Sequence, residues 1–106
     1  MSLSPVERFL LAHILYSYGG KVYFTTPSGQ SPEEVLAGFL AEDFVDPSDR
    51  RYERIRRAFA DALRGLKEKW LIELRGYEVL LTVVGRQEAE KLSRELYDEL
   101  KRKFST

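Results

Sequence analysis

The apolar residues change period once, abruptly, between Tyr52 and Leu81. Tyr52, Ile55, Phe59, Ala62, Leu63, Leu66 and Trp70 recur at steps of three and four, the spacing of one helical face. Leu71-Ile72-Glu73-Leu74 and Tyr77-Glu78-Val79-Leu80-Leu81 then flank Arg75-Gly76, which reads as two short strands around a tight turn. In that register Ile72 and Leu74 share a face with Val79 and Tyr77, and Glu73 faces Glu78. No linker separates helix from hairpin, so both must cover the same core. The chain is therefore expected to be α+β, with helices packed on a small sheet.

The remaining elements follow from their end signals. Ser4-Pro5-Val6-Glu7 is a capping box with proline at the first helical position. Val6, Phe9, Leu10, His13, Ile14 and Ser17 continue that helix to about 18, where Gly19-Gly20 stops it. Lys21 to Thr26 is β-branched and aromatic, a short strand. Ser31-Pro32-Glu33-Glu34 opens a second helix with Val35, Leu36, Phe39 and Leu40 as its stripe. Asp46-Pro47 opens the third, predicted over about 47–69. Thr82 caps a last long helix, about 83–104, with Ala89, Leu92, Leu96, Leu100 and Phe104 on one side.

A length of 106 residues holds one domain. Its core is expected over about 4–82. No apolar run reaches the ~20 residues that span a bilayer, and no secretory leader is evident. The absence of cysteine excludes disulfides and thiolate metal sites, and a cytoplasmic location is expected. Asparagine is absent and charged residues make up 32%, a pattern of hyperthermophile proteins that predicts a thermophilic, archaeal-like source.

Net charge is zero, yet eight of the seventeen Lys and Arg fall between Arg50 and Lys69, against only Glu53, Asp61 and Glu68. The segment from Arg86 to Lys103 has six bases and five acids, so the excess is local. At ~100° per residue, Arg50, Arg54, Arg57 and Arg64 point away from the apolar stripe, with Arg56 and Lys67 on a flank. Such a row suits a polyanion. It also suits plain helix stabilisation through Glu53–Arg57, Arg57–Asp61 and Arg64–Glu68, i,i+4 pairs worth about 0.2–0.5 kcal/mol each.

The run Ala62-Leu63-Arg64-Gly65-Leu66-Lys67-Glu68-Lys69-Trp70-Leu71-Ile72 resembles the end of a recognition helix entering the first wing strand of winged helix-turn-helix regulators of the MarR and PadR groups. Leu81-Thr82-Val83-Val84-Gly85-Arg86-Gln87-Glu88-Ala89 is similar to their junction between second wing strand and C-terminal helix. Trp70 stands where that pattern usually has glycine, and the wing tip is minimal. The resemblance implies a homodimeric transcriptional regulator that sets helix three in the major groove of double-stranded DNA. Arg56, Arg57, Asp61 and Arg64 then lie nearest the base-facing positions, and Arg50, Arg51, Arg54 and Arg75 contact the backbone. The acidic stretch Glu33 to Asp49 must face away from the duplex. Leu92, Leu96, Tyr97, Leu100 and Phe104 are the expected dimer interface. The alternative is a winged helix used as a protein-interaction module in a larger assembly.

Nothing marks an enzyme. His13 is the only histidine and is expected to be packed. No hydroxyl nucleophile has an evident base, and Ser28-Gly29-Gln30-Ser31 is too short for a phosphate loop. Glu73 and Glu78 are expected to be solvated separately rather than to bind a metal. No cofactor is expected.

Overall fold

The structure, a computed structural model, describes residues 2–105. Five helices pack on a three-stranded antiparallel sheet in the order β1-β3-β2. Helix α1, Pro5–Tyr18, begins at a closed capping box: Ser4 Oγ accepts from the Glu7 amide at 3.1 Å and the Glu7 carboxylate accepts from the Ser4 amide at 2.8 Å. It ends at Gly19, where φ is 73°, a left-handed cap that glycine adopts without a Cβ clash. Strand β1 is Lys21–Tyr23 and helix α2 is Pro32–Ala41, capped by Ser31. Helix α3 is Tyr52–Glu68, strand β2 Ile72–Leu74 and strand β3 Glu78–Leu81. Helix α4 is Val83–Glu90, capped by Thr82, and helix α5 is Arg94–Ser105.

Helix α1 is the hub. Phe9, Leu10, Leu11, Ala12, His13 and Ile14 are all buried, because α3, α4, α5 and the sheet all pack against it. Leu10, Leu11, Leu36 and Leu63 are completely buried, each worth about 1.5–3 kcal/mol of transfer free energy. The stripe on α3 is buried from Ile55 through Leu66. The α2 stripe is narrower than its periodicity predicts, since Phe39 is exposed while Ala37 and Ala41 are buried.

Three expectations are corrected. Helix α3 starts at Tyr52, not near Pro47. The Asp46 carboxylate accepts from the amide and hydroxyl of Ser48 at 2.9 and 2.7 Å, and that bonding closes a local turn instead of capping a helix. Second, the C-terminal helix is two helices. The chain breaks at Lys91-Leu92-Ser93, and Ser93 Oγ accepts from the Leu96 amide at 3.1 Å to start α5.

Third, the hairpin is slipped by two residues from its expected register. Ile72 pairs with Leu81, Glu73 with Leu80 and Leu74 with Val79. The Arg75 amide donates to the Glu78 carbonyl at 2.8 Å, so the turn residues are Gly76 and Tyr77. Glu73 does not face Glu78. A slip of two preserves the faces, so Ile72 and Val79 are still buried together.

The break before α5 sets where the residues expected at a dimer interface lie. It lets α5 fold back on α1, with Leu92 and Tyr97 buried in the protomer's own core and Leu100 and Phe104 packed against it. Phe104 lies between the rings of Phe9, Phe44 and Phe59, with centroids 5.2–5.9 Å away. Of the five residues expected at a dimer interface, only Leu96 is exposed; the other four pack on the protomer's own core.

Candidate nucleic-acid interface

The outward surface of α3 divides into two parts with different electrostatics. On the flank toward α2, the expected cations are already partnered. Glu34, in the first turn of α2, accepts from Arg56 and, at 2.6 Å, from Arg64. Arg56 also bonds Glu53, and Arg64 bonds Asp61 at 3.1 Å. Lys67 reaches Glu33 at 3.3 Å. The hydrogen bonds from Arg64 and Arg56 hold the Glu34 carboxyl below its ordinary value. The bonds that Arg56 donates to Glu53 and Glu34 outweigh desolvation and push its guanidinium up. The local pairs are i,i+3, Glu53–Arg56 and Asp61–Arg64, not the i,i+4 pairs that spacing suggests.

The acidic start of α2 therefore does not face away from the basic helix. It lies against it and neutralises part of its charge. This surface is organised by contacts between residues 22 to 34 positions apart, which helical spacing does not reveal.

The other part is less compensated. Arg50, in the turn before α3, and Arg54 and Arg57 on the helix are exposed. They form no ion pair among the described residues. Arg51 is paired with Asp49 at 3.1 Å. At the hairpin, Arg75 sits between Glu73 at 3.4 Å and Glu78 at 3.1 Å. Of the expected site residues, Arg50, Arg54 and Arg57 thus stay together as cations facing solvent, while Arg51, Arg56, Arg64, Lys67 and Arg75 are tied to carboxylates.

The far end of α3 is fixed by a contact that spans 62 positions of the chain. Lys69 Nζ donates to both oxygens of buried Glu7 at 2.8 Å, joining the end of α3 to the start of α1. Burial alone would raise the Glu7 carboxyl. The Lys69 ammonium and the Ser4 amide outweigh it and hold the group below its ordinary value.

Trp70 follows with φ at 61° and its side chain 78% exposed. The spacing of the α3 stripe predicts a core position for it instead. The signal that could have found it is the glycine usual at this position in the resembling pattern, since glycine marks a left-handed backbone. A groove of about 550 Å³ runs between α3 and β2, bordered by Trp70, Arg64, Lys67, Leu74 and Arg75.

His13 is buried, as expected, but it is bonded at both nitrogens. Nε2 contacts the Asp43 carboxylate at 2.8 Å and Nδ1 contacts the Tyr97 hydroxyl. In the neutral ring, Nε2–H donates to Asp43 and Nδ1 accepts from Tyr97. Tyr18 also donates to Asp43 at 2.6 Å, and Ser17 bonds the Tyr97 oxygen at 2.6 Å. Burial would raise Asp43, but the bonds from His13 and Tyr18 outweigh it and keep the carboxyl low. This network pins α5 to α1 and to the end of α2.

Among the described residues, no group of three or more His, Cys, Asp or Glu side chains is placed to hold a metal ion. No helix among them is long and apolar enough to cross a membrane. Comparison with protein-family models, with curated proteins and with solved structures returned no match for this chain.

Proposed function

We propose that this chain binds double-stranded DNA as the winged-helix domain of a transcriptional regulator, with the outward face of α3 against the duplex. The observation that carries this reading is the Arg50, Arg54 and Arg57 group: three exposed cations without an ion-pair partner among the described residues, beside a flank whose charges are compensated. Guanidinium groups so placed neutralise phosphate and can bond guanine edges. The helix order and the β1-β3-β2 sheet suit a winged helix, with α3 as recognition helix and the β2–β3 hairpin as a short wing. Arg64, Lys67 and Arg75 are secondary contacts here. The pairs of Arg64 with Glu34 and Asp61 and of Arg75 with Glu73 are exposed on both sides. Each is worth only about 0–1 kcal/mol, so phosphate can displace them, whereas Glu33 and Glu78, which hold Lys67 and Arg75, are largely buried.

Fluorescence anisotropy of a labelled random duplex across a salt series tests the reading. Three neutralised phosphates per protomer give a slope of log K against log salt near −2.7. Absence of binding at low salt sinks it.

A second reading, a protein-interaction module, is favoured by Trp70. A tryptophan held exposed on a left-handed backbone beside a groove has the character of an interface anchor. Binding to a protein partner through the groove, with no salt-dependent DNA binding, separates this reading from the first.

A further inference from the structure

Strand β2 is an edge strand, since the order β1-β3-β2 leaves its outer side without a neighbour. The Leu71 carbonyl accepts from the Thr82 amide at 3.1 Å, and the Arg75 amide donates to the Glu78 carbonyl at 2.8 Å. Residues 71, 73 and 75 therefore turn their backbone groups toward β3. By antiparallel alternation, the N–H and C=O groups of Ile72 and Leu74 point outward. An open row of this kind is a template for another strand. It borders the groove that Trp70 flanks.

The charges on this strand are self-complementary. Glu73 and Arg75 lie on one face, on either side of Leu74, and already touch each other at 3.4 Å. The opposite edge is different: β1 carries one charge, Lys21, and no acid to meet it.

We propose that β2 pairs antiparallel with β2 of a second copy of this chain, about a two-fold axis at Leu74. In that register the two Leu74 residues exchange a pair of N–H···O bonds. Glu73 of each copy then stands opposite Arg75 of the other, a favourable cross-strand pair formed twice by symmetry. Moving the axis to Glu73 would set two carboxylates face to face, so the order Glu-Leu-Arg selects one register. The two three-stranded sheets become one sheet of six strands. The inference does not rest on DNA binding.

Sedimentation equilibrium from micromolar to near-millimolar protein tests it. Wild type forms a concentration-dependent dimer. Glu73→Arg and Arg75→Glu each place like charges opposite twice and weaken association by about tenfold or more. The double variant Glu73→Arg/Arg75→Glu exchanges the charges in both copies, restores complementarity and recovers the dimer. Leu74→Pro removes an outward amide that β3 does not use and abolishes pairing. Circular dichroism verifies that each variant is folded. A monomer at every concentration, single variants that associate like wild type, or a folded double variant that fails to recover overturns the proposal.

Discussion

Trp70 combines a left-handed backbone, φ 61°, with a ring that is 78% exposed. The conformation costs a residue with a Cβ about 1–2 kcal/mol, and the exposed ring returns little burial in exchange. Trp70→Gly relieves that strain and adds back about 0.5–1 kcal/mol of chain entropy. The balance is a gain near 0.5–1 kcal/mol, or about 2–6 °C in Tm for a domain of this size. Trp70→Ala loses the same ring but keeps the Cβ, so it falls below the glycine variant by about 1 kcal/mol. The hydrogen bond from Thr82 to the Trp70 carbonyl involves backbone and survives in both. Urea and thermal unfolding of the three proteins measure the effect. A glycine variant less stable than wild type by more than about 1 kcal/mol, or no more stable than alanine, refutes the reasoning. If the prediction holds, Trp70 is retained at the expense of stability, the mark of a residue kept for what it contacts.

Other perturbations follow from the same geometry. Gly85→Ala drives a Cβ into the Leu71 carbonyl, a backbone obstacle that cannot swing aside, and lowers stability by about 1–3 kcal/mol in denaturant titrations. Tyr97→Phe leaves His13 Nδ1 and Ser17 without their shared partner and costs about 1–3 kcal/mol, with increased hydrogen exchange in α5. Glu7 and Asp43 have folded-state values below their ordinary 4.5 and 3.8. Their stabilisation is complete above those ordinary values and is lost as pH falls through the lower folded ones. Thermal melts are therefore insensitive to these groups near neutrality and fall in acid, and Glu7→Gln shrinks that fall.

The features legible in the sequence were the local ones. Ser4 and Glu7, Gly19, Ser31 and Thr82 mark element ends by chemistry within a few residues, and the structure places caps at each. The stripe from Ile55 to Leu66 needed only a period. The break at Ser93 stayed hidden because Ala89, Leu92, Leu96, Leu100 and Phe104 hold their helical spacing across it. The hairpin register was hidden for a related reason, since a slip of two leaves the same side chains on the same face. The candidate site was the least legible part. Glu34 meets Arg56 and Arg64, Lys69 meets Glu7 and His13 meets Tyr97 across 22 to 84 positions, and no periodicity carries that information. A count of charges along α3 therefore overstated its free basic surface, and the fold reduced it to Arg50, Arg54 and Arg57.

That reduction makes the central claim specific enough to test with two variants. DNA affinity is measured by anisotropy over a salt series for wild type, for Arg50→Ala/Arg54→Ala/Arg57→Ala, and for Arg56→Ala/Arg64→Ala. The account predicts that the triple variant loses most of the salt slope, about 2.7 in log K per log salt, while the double variant keeps most of it. Wild type that does not bind, or a slope that disappears with Arg56 and Arg64 but survives loss of the other three, contradicts it.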